Sequence, residues 1–307
     1  MTELQLLMYA AYAFLFVGTG YRAYRMAKMP VHLRWDLYPI PHEKGRGHYG
    51  GSYFEEVDWW TKPAEVSVQG ELREMAKEIV FIQSMYHNNR RLWVFSFPFH
   101  FGLYLLVVFV LLIFLGAFLE VVGVPVSAEG NLLARSLYYV TIPLGLIGSA
   151  LATLGALGLL VSRLTRVDLR RTSVRSDYFN LILLLAVFVS GLFAWGAEDV
   201  AYAQSRLFIA RLISFQPAGP VSAAFATHLV LAALFMMYLP FTHMTHFVGK
   251  YFTYHKVRWE DSPNVKGSVL EKRINEALGY TVTWSAPHIK TGGTWAETAT
   301  EVGTKNE

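Results

Sequence analysis

The sequence has no cysteine and little charge. None of its 307 residues is Cys, and Asp, Glu, Lys and Arg together make up 16% of them, against about 25% in ordinary soluble domains. The absence of Cys excludes disulfides, iron–sulfur ligation by this chain and a thiol nucleophile. The net charge of +4 is too small to predict nucleic acid as the main partner.

The charged residues are separated by long gaps. Five stretches of 18, 28, 27, 20 and 38 residues contain no Asp, Glu, Lys or Arg. Each is rich in Leu, Val, Phe and Ala, and about 20 apolar helical residues suffice to cross the hydrocarbon layer. We therefore predict an all-α integral membrane protein, a bundle of five transmembrane helices at residues 4–25, 92–119, 136–162, 178–197 and 222–249.

The distribution of Lys and Arg predicts the orientation. The segments on one side of the five predicted spans hold 24 of these residues, and those on the other side hold 3. Basic residues concentrate on the cytoplasmic side of membrane proteins. We therefore expect the N-terminus outside, the C-terminus in the cytoplasm and the bilayer as a permanent partner.

Four histidines lie within the predicted spans, namely His100, His228, His243 and His246. Ionisable residues inside a membrane are functional candidates. His228 and His246 are 18 residues apart, which is five turns of one helix and about 27 Å along its axis. Two imidazoles on one face at opposite depths are what two haem levels in a helix bundle require.

The depth of each histidine predicts how they pair. His100 on the second span and His246 on the antiparallel fifth span reach a similar depth, so we expect them to be the axial ligands of a haem iron. His243 competes at this level, but only His246 is in phase with His228. His228 itself faces no His, and Met8 is the thioether at its depth on the first span. The sequence thus predicts one haem b and leaves a second haem at His228 open.

Three other interpretations stay open at this point. A single histidine within a membrane can be purely structural when it is hydrogen-bonded to Ser or to a backbone carbonyl. A bundle lined by His could also be a transporter or metal carrier, although such proteins usually place acidic residues within their spans. A non-catalytic membrane anchor for a partner complex is the third.

The predicted organisation has four parts. Residues 1–29 form the first transmembrane helix, and residues 30–91 a cytoplasmic loop with an amphipathic helix over 71–90. Residues 92–252 form the four-helix haem-binding core of the membrane part. The polar residues 253–307 form a cytoplasmic tail, for which we expect an irregular structure.

Two motifs resemble one family of membrane cytochromes. The run Thr227–His246, with its Pro240-Phe241 step and 18-residue His spacing, resembles the last span of the gamma subunit of respiratory nitrate reductase. Phe99-His100-Phe101-Gly102 resembles the start of that family's second span. The family consists of five-helix cytochromes b that oxidise quinol. Its second span normally supplies another His about ten residues further on, where this sequence has Val110.

The resemblance implies a membrane subunit of a respiratory chain complex. Such a subunit passes electrons between the quinone pool, here menaquinone, or an outer multihaem cytochrome c, and a cytoplasmic iron–sulfur subunit. The 30–60 loop and the tail are similar to those of relatives from sulfate reducers, whose partner is a heterodisulfide-reductase-like iron–sulfur protein. The location implied is the cytoplasmic membrane of a bacterium or archaeon.

A quinone site also needs a proton acceptor near the edge of the bilayer. On the predicted outer side, the candidate residues are Glu120, Glu198, Asp199 and a His228 that does not bind iron. The sequence does not rank them.

Overall fold

The computed structural model describes residues 2–29, 56–62, 67–258, 264–286 and 289–301. Most of the predicted cytoplasmic loop at residues 30–60 lies outside these residues.

The described residues are mainly helical. The α-helices in chain order are α1 (Glu3–Ala27), α2 (Val68–Phe81), α3 (Gln83–Asn88), α4 (Arg90–Val121), α5 (Leu132–Thr165), α6 (Val167–Thr172), α7 (Arg175–Glu198), α8 (Ala203–Ile213), α9 (Ala223–Tyr238), α10 (His246–Phe252), α11 (Val269–Leu278) and α12 (Trp295–Thr300). Short 3₁₀ turns lie at Trp59–Thr61, Leu239–Phe241 and His243–Thr245, and a π-helical turn lies at Thr253–Arg258. The all-α prediction is confirmed.

Five of these helices are long and apolar enough to cross a membrane. They are α1, α4, α5, α7 and α9, the last continued by its 3₁₀ turn to Phe241. The first four differ from the predicted spans by at most a few residues at each end. The chain is a multi-pass membrane protein, and the sidedness of its termini stays a prediction.

The fifth span is shorter than predicted. Helix α9 ends at Tyr238 and α10 begins only at His246. Between them Pro240 lacks an amide hydrogen, and Thr242 is extended, with φ −113° and ψ 169°. The prediction of a single helix over 222–249 is therefore wrong.

The segment before the second span is interrupted as well. Ile82 adopts a left-handed conformation with φ 51° and separates α2 from α3. Asn89 then starts α4, where its side chain accepts a hydrogen bond from the Leu92 amide. The prediction of a continuous amphipathic helix over 71–90 is therefore wrong.

The chain divides into two compact units. The bundle unit comprises Met1–Gly18 and Arg73–Thr242, and the tail unit comprises Thr19–Leu72 and His243–Glu307. Within the bundle unit α4 packs on α5, α5 on α7, and α7 on α9, while α8 packs against α4. This arrangement leaves α8 at one end of the bundle.

Helix α8 joins the hydrophobic core of the bundle unit. Its Phe208, Ile209 and Leu212 are buried together with residues of α1, α4 and α9, among them Met8, Ala11, Ile113, Ala117, Phe225 and Leu229. No helix is predicted between the spans at 178–197 and 222–249, so α8 is missing from the sequence-based assignment. The apolar run at 207–213 is the signal that would have indicated it.

The tail unit contains more regular structure than predicted. Its helices α11 and α12 both begin at a capping residue. Ser268 accepts a hydrogen bond from the Glu271 amide, and Thr294 forms a reciprocal capping box with Glu297. The prediction of an irregular tail is therefore wrong at α11 and α12. The two Ser/Thr-x-x-Glu sequences at the start of these helices are the signals that indicate them.

Helices α4 and α5 approach so closely that their crossing requires glycine. A Cβ atom at Gly102 would lie 2.5 Å from the backbone nitrogen of Ala152 and 2.7 Å from the carbonyl oxygen of Gly148. Both neighbours are backbone atoms and cannot rotate away. Close backbone contact at small residues is a main source of helix association in membranes.

We expect Gly102→Ala to destabilise the bundle by about 1–3 kcal/mol, because the added methyl group overpacks this crossing. Gly196→Ala is the matched control, since a Cβ there meets no atom within 4 Å. Thermal unfolding followed by tryptophan fluorescence measures both variants. Equal Tm values for the two would show that the α4–α5 contact is not under this constraint.

Candidate functional site

His100 lies on α4 with the tautomer of its ring fixed by the backbone. Its Nδ1 lies 2.7 Å from the carbonyl oxygen of Ser96, one turn earlier. Because a carbonyl oxygen only accepts hydrogen bonds, Nδ1 carries the proton and Nε2 carries the lone pair. A backbone carbonyl bonded to one ring nitrogen is the usual support of a metal-ligating histidine.

His246 has the same local arrangement in the tail unit. It is the first residue of α10, and its Nδ1 lies 3.2 Å from the carbonyl oxygen of His243. Its Nε2 therefore also carries the lone pair. His243 lies in the preceding 3₁₀ turn and supplies the carbonyl group that holds the His246 ring.

The break in the fifth span changes the argument for His246. Its preference over His243 rested on a continuous helix that would bring it into phase with His228, and α9 ends before either residue. The hydrogen bond from His246 to the His243 carbonyl is a different reason for the same choice. His100 and His246 belong to different units, so their pairing stays a prediction.

His228 lies on α9 and is held by a side chain of α7. Its Nδ1 lies 3.1 Å from the Ser190 hydroxyl oxygen, and that hydroxyl donates to the Val187 carbonyl at 2.9 Å. With its only hydrogen used there, the Ser190 oxygen accepts from Nδ1, and Nε2 keeps the lone pair. The next residue must be small, because a Cβ at Gly191 would lie 2.9 Å from His228 Cε1.

A cavity of about 920 Å³ lies beside His228 in the bundle unit. It is bounded by α1, α4, α7, α8 and α9, and its walls are mostly aromatic and aliphatic. Its lining residues include Met8, Val110, Trp195, Asp199, Tyr202 and Ala232. Its volume is at the upper end of the range of small-molecule sites, about 300–1,000 Å³.

The three candidate acids have different surroundings. Asp199 is buried on the cavity wall and accepts hydrogen bonds from the Gln204 and Ser205 amides and the Ser205 hydroxyl. Glu120 accepts from Arg206 at 3.1 Å. Glu198 is exposed at the end of α7. Only Asp199 is therefore both buried and at the cavity.

Tyr202 places a phenol next to the cavity from the turn before α8. Its ring packs edge-on against Phe109 at 4.6 Å between centroids, and its hydroxyl lies against Gly145. Burial, together with the nearby Asp199 carboxylate, raises the pKa of Tyr202. The phenol therefore stays protonated across the physiological range.

Comparison with known proteins identifies the family of the chain. The nitrate reductase gamma subunit model matches residues 82–260. The chain belongs to the nitrate reductase gamma subunit family. The resemblance that the sequence analysis drew from its second and fifth spans is confirmed.

Two archaeal relatives carry a more specific name than the nitrate reductase gamma subunit family does. Both are named Hdr-like menaquinol oxidoreductase cytochrome b-like subunit. The protein from Archaeoglobus fulgidus is 26% identical over 276 residues, with 80% of this chain and 76% of the relative covered. The protein from Archaeoglobus profundus is 22% identical over 260 residues, with the same coverage. No solved structure matches this chain significantly.

Two histidines of this chain have a property that the axial ligands of a haem iron need. His100 and His246 each present an Nε2 lone pair with the opposite nitrogen bonded to a backbone carbonyl. Neutral imidazole nitrogens of this kind are the common protein ligands of haem iron. Sequence reasoning missed the supporting groups, because both are backbone carbonyls, which every residue carries.

Arg206 on α8 is a buried cation that pairs with one of these candidate acids. Its side chain is 3% exposed, pairs with Glu120, and also donates to the Ala201 and Val126 carbonyls at 2.8 and 3.2 Å. It thereby fixes α8 to the loop after α4. A buried charge with all of these partners is costly to disrupt from one side.

We expect Arg206→Ala to lower the stability of the bundle by about 3–5 kcal/mol, because Glu120 would lose its buried counter-charge. Arg211→Ala is the control, since Arg211 lies on the same helix and is exposed. Thermal unfolding of both purified variants tests this. A wild-type Tm for Arg206→Ala would mean that the ion pair does not hold α8.

Proposed function

We propose that this chain is the membrane cytochrome b subunit of a respiratory redox complex. It would pass electrons between the quinone pool and a cytoplasmic iron–sulfur subunit through a haem b. An outer multihaem cytochrome c is the alternative to the quinone pool as the redox partner. The chain would work as one subunit of a quinone-linked oxidoreductase.

The observation that carries this proposal is the fixed imidazole of His100 inside a span of a gamma-family protein. Its Nδ1 donates to the Ser96 carbonyl at 2.7 Å, so the ring is oriented and Nε2 is the ligating nitrogen. His246 has the same arrangement through the His243 carbonyl. His100 and His246 would hold the haem between them, and the bound group supplies one-electron transfer at its iron.

The chain's own residues prepare this site before any cofactor binds. The Ser96 carbonyl prevents rotation of the His100 ring and keeps Nε2 unprotonated. Ser96 is itself 2% exposed, which keeps water away from this hydrogen bond. Preorganised ligands of this kind bind iron without the cost of ordering the side chain.

The names of the two relatives support the quinone and the partner. Both names contain menaquinol oxidoreductase and Hdr-like. We infer menaquinone as the quinone and a heterodisulfide-reductase-like iron–sulfur protein as the cytoplasmic partner. The location proposed is the cytoplasmic membrane of a bacterium or archaeon, with the basic side inward.

A reduced-minus-oxidised spectrum of the purified chain tests the proposal. We expect a b-type haem band in the wild type, which is lost in His100→Ala and in His246→Ala because each removes an axial ligand. The band should persist in His87→Ala, which changes an exposed residue before α4, and in His243→Ala, which keeps the backbone carbonyl.

Two results would contradict this proposal. A colourless wild-type preparation that is folded by circular dichroism would remove the cytochrome function and favour an anchor or a transporter. Loss of the band in His243→Ala alone would show that the ligand on this segment was wrongly chosen.

A further inference from the structure

Helix α2 carries an apolar stripe that the proposed haem site does not use. Val68, Leu72, Ala76 and Ile79 follow one another at intervals of four, four and three residues along the helix. They therefore lie within about a quarter of a turn of one another around its axis. We propose that this α2 stripe lies on the lipid of the bilayer, so that α2 is an interfacial helix in addition to the five spans.

The α2 stripe is open, whereas the charged side of the helix is not. Val68, Leu72 and Ile79 are 62%, 63% and 39% exposed, and Ala76 is exposed as well. Four of the five charged residues of α2 are partly buried instead, namely Glu71, Glu74, Lys77 and Glu78. A helix at a water-facing surface has the reverse pattern, with its apolar side inward and its charges outward.

The charged side chains of α2 are used within the chain. The Glu78 carboxylate accepts a hydrogen bond from the Ser84 amide at 2.8 Å. Glu74 pairs with Lys77 at 3.6 Å. These contacts orient the helix with its polar side on the protein, and they leave the α2 stripe to an outside surface.

Two aromatic side chains of α4 hold the C-terminal end of α2. The Tyr104 hydroxyl donates to the Ile79 carbonyl at 2.7 Å, and the Trp93 indole N–H donates to the Phe81 carbonyl at 2.8 Å. The last carbonyl groups of a helix have no partner within it, so they need one from outside wherever water is scarce. Tyr and Trp are also the residues that gather at the edges of a membrane.

The depth of Tyr104 decides what covers this end of α2. Helix α4 has 28 residues without a charge between Arg91 and Glu120, and the hydrocarbon layer takes about 20 helical residues. Every placement of about 20 residues within this stretch includes Tyr104. The Tyr104 side chain therefore lies at the edge of the hydrocarbon or inside it, and the Ile79 carbonyl that it binds lies next to lipid.

The α2 stripe also continues a lipid-facing surface of α4. Val108 and Leu111 follow Tyr104 by about one and two turns on the same face of α4, and they are 44% and 63% exposed. Within the apolar stretch of a span, side chains open to the outside of the bundle face lipid. A soluble partner on the α2 stripe would have to enter the membrane at Ile79, and this favours lipid as the occupant.

The absence of cysteine allows a direct test. The full-length chain is placed in phosphatidylcholine nanodiscs with a single spin label at Ile79→Cys or at Lys77→Cys. Lys77 is the matched control, since it lies on the opposite side of α2 and its side chain is 41% exposed. We expect oxygen, which dissolves in lipid, to relax the Ile79 label, and a water-soluble nickel chelate to relax the Lys77 label.

Two further measurements support the comparison. Circular dichroism reports the folding of each labelled variant, and Ala76→Cys is the second stripe position if Ile79→Cys does not fold. Nanodiscs with anionic lipid should give the same accessibilities. Helix α2 contains three Glu against one Arg and one Lys, so its attachment depends on apolar contact and not on attraction to charged headgroups.

Three outcomes would overturn the inference. Relaxation of the stripe label by the nickel chelate would show that water covers the α2 stripe, which would leave it for a soluble protein partner. Protection of that label from both reagents would show that protein covers it, and a dimer mass by light scattering would assign a second copy of this chain. Protection from nickel in anionic nanodiscs alone would refute the apolar basis. None of these measurements depends on haem, so the result is independent of the proposed function.

Discussion

An imidazole in an apolar helix bundle must satisfy two different ring nitrogens, and most of the site follows from how this chain does so. One nitrogen needs an acceptor for its proton, and the other keeps a lone pair. His100 Nδ1 donates a hydrogen bond to the Ser96 carbonyl, and His228 Nδ1 donates one to the Ser190 hydroxyl oxygen. In both cases Nδ1 is the donor. Each ring is therefore a fixed Nε2 acceptor in a medium without water to replace it.

The surroundings of the two rings differ, although the two imidazoles are chemically alike. At His228 the wall supplies aromatic surface and one carboxylate, and the described lining contains no cation. Arg206 could have provided one, but Glu120 and two carbonyls bind it on the α8 side. The ion pair thus fixes α8, and Arg206 is not among the described residues that line the cavity.

The membrane part of the fold could be predicted from the sequence because lipid imposes a simple rule. Long gaps between charges located the spans, and the His positions located the candidate ligands. The break after α9 could not be read in the same way, since Pro240 predicts a bend and not the extended conformation of Thr242. Helix α8 was missed because an amphipathic helix at the end of a bundle is too short for a span and too charged for a core.

The cavity could not be predicted from the sequence for a different reason. It is a space between several helices and not a property of any one of them. Val110 could be recognised as the position where a second histidine is missing, but not as part of the wall of a cavity that His228 also lines. The volume and lining of the cavity depend on where several helices end and how their side chains pack, and neither follows from the pattern of apolar and charged residues along the chain.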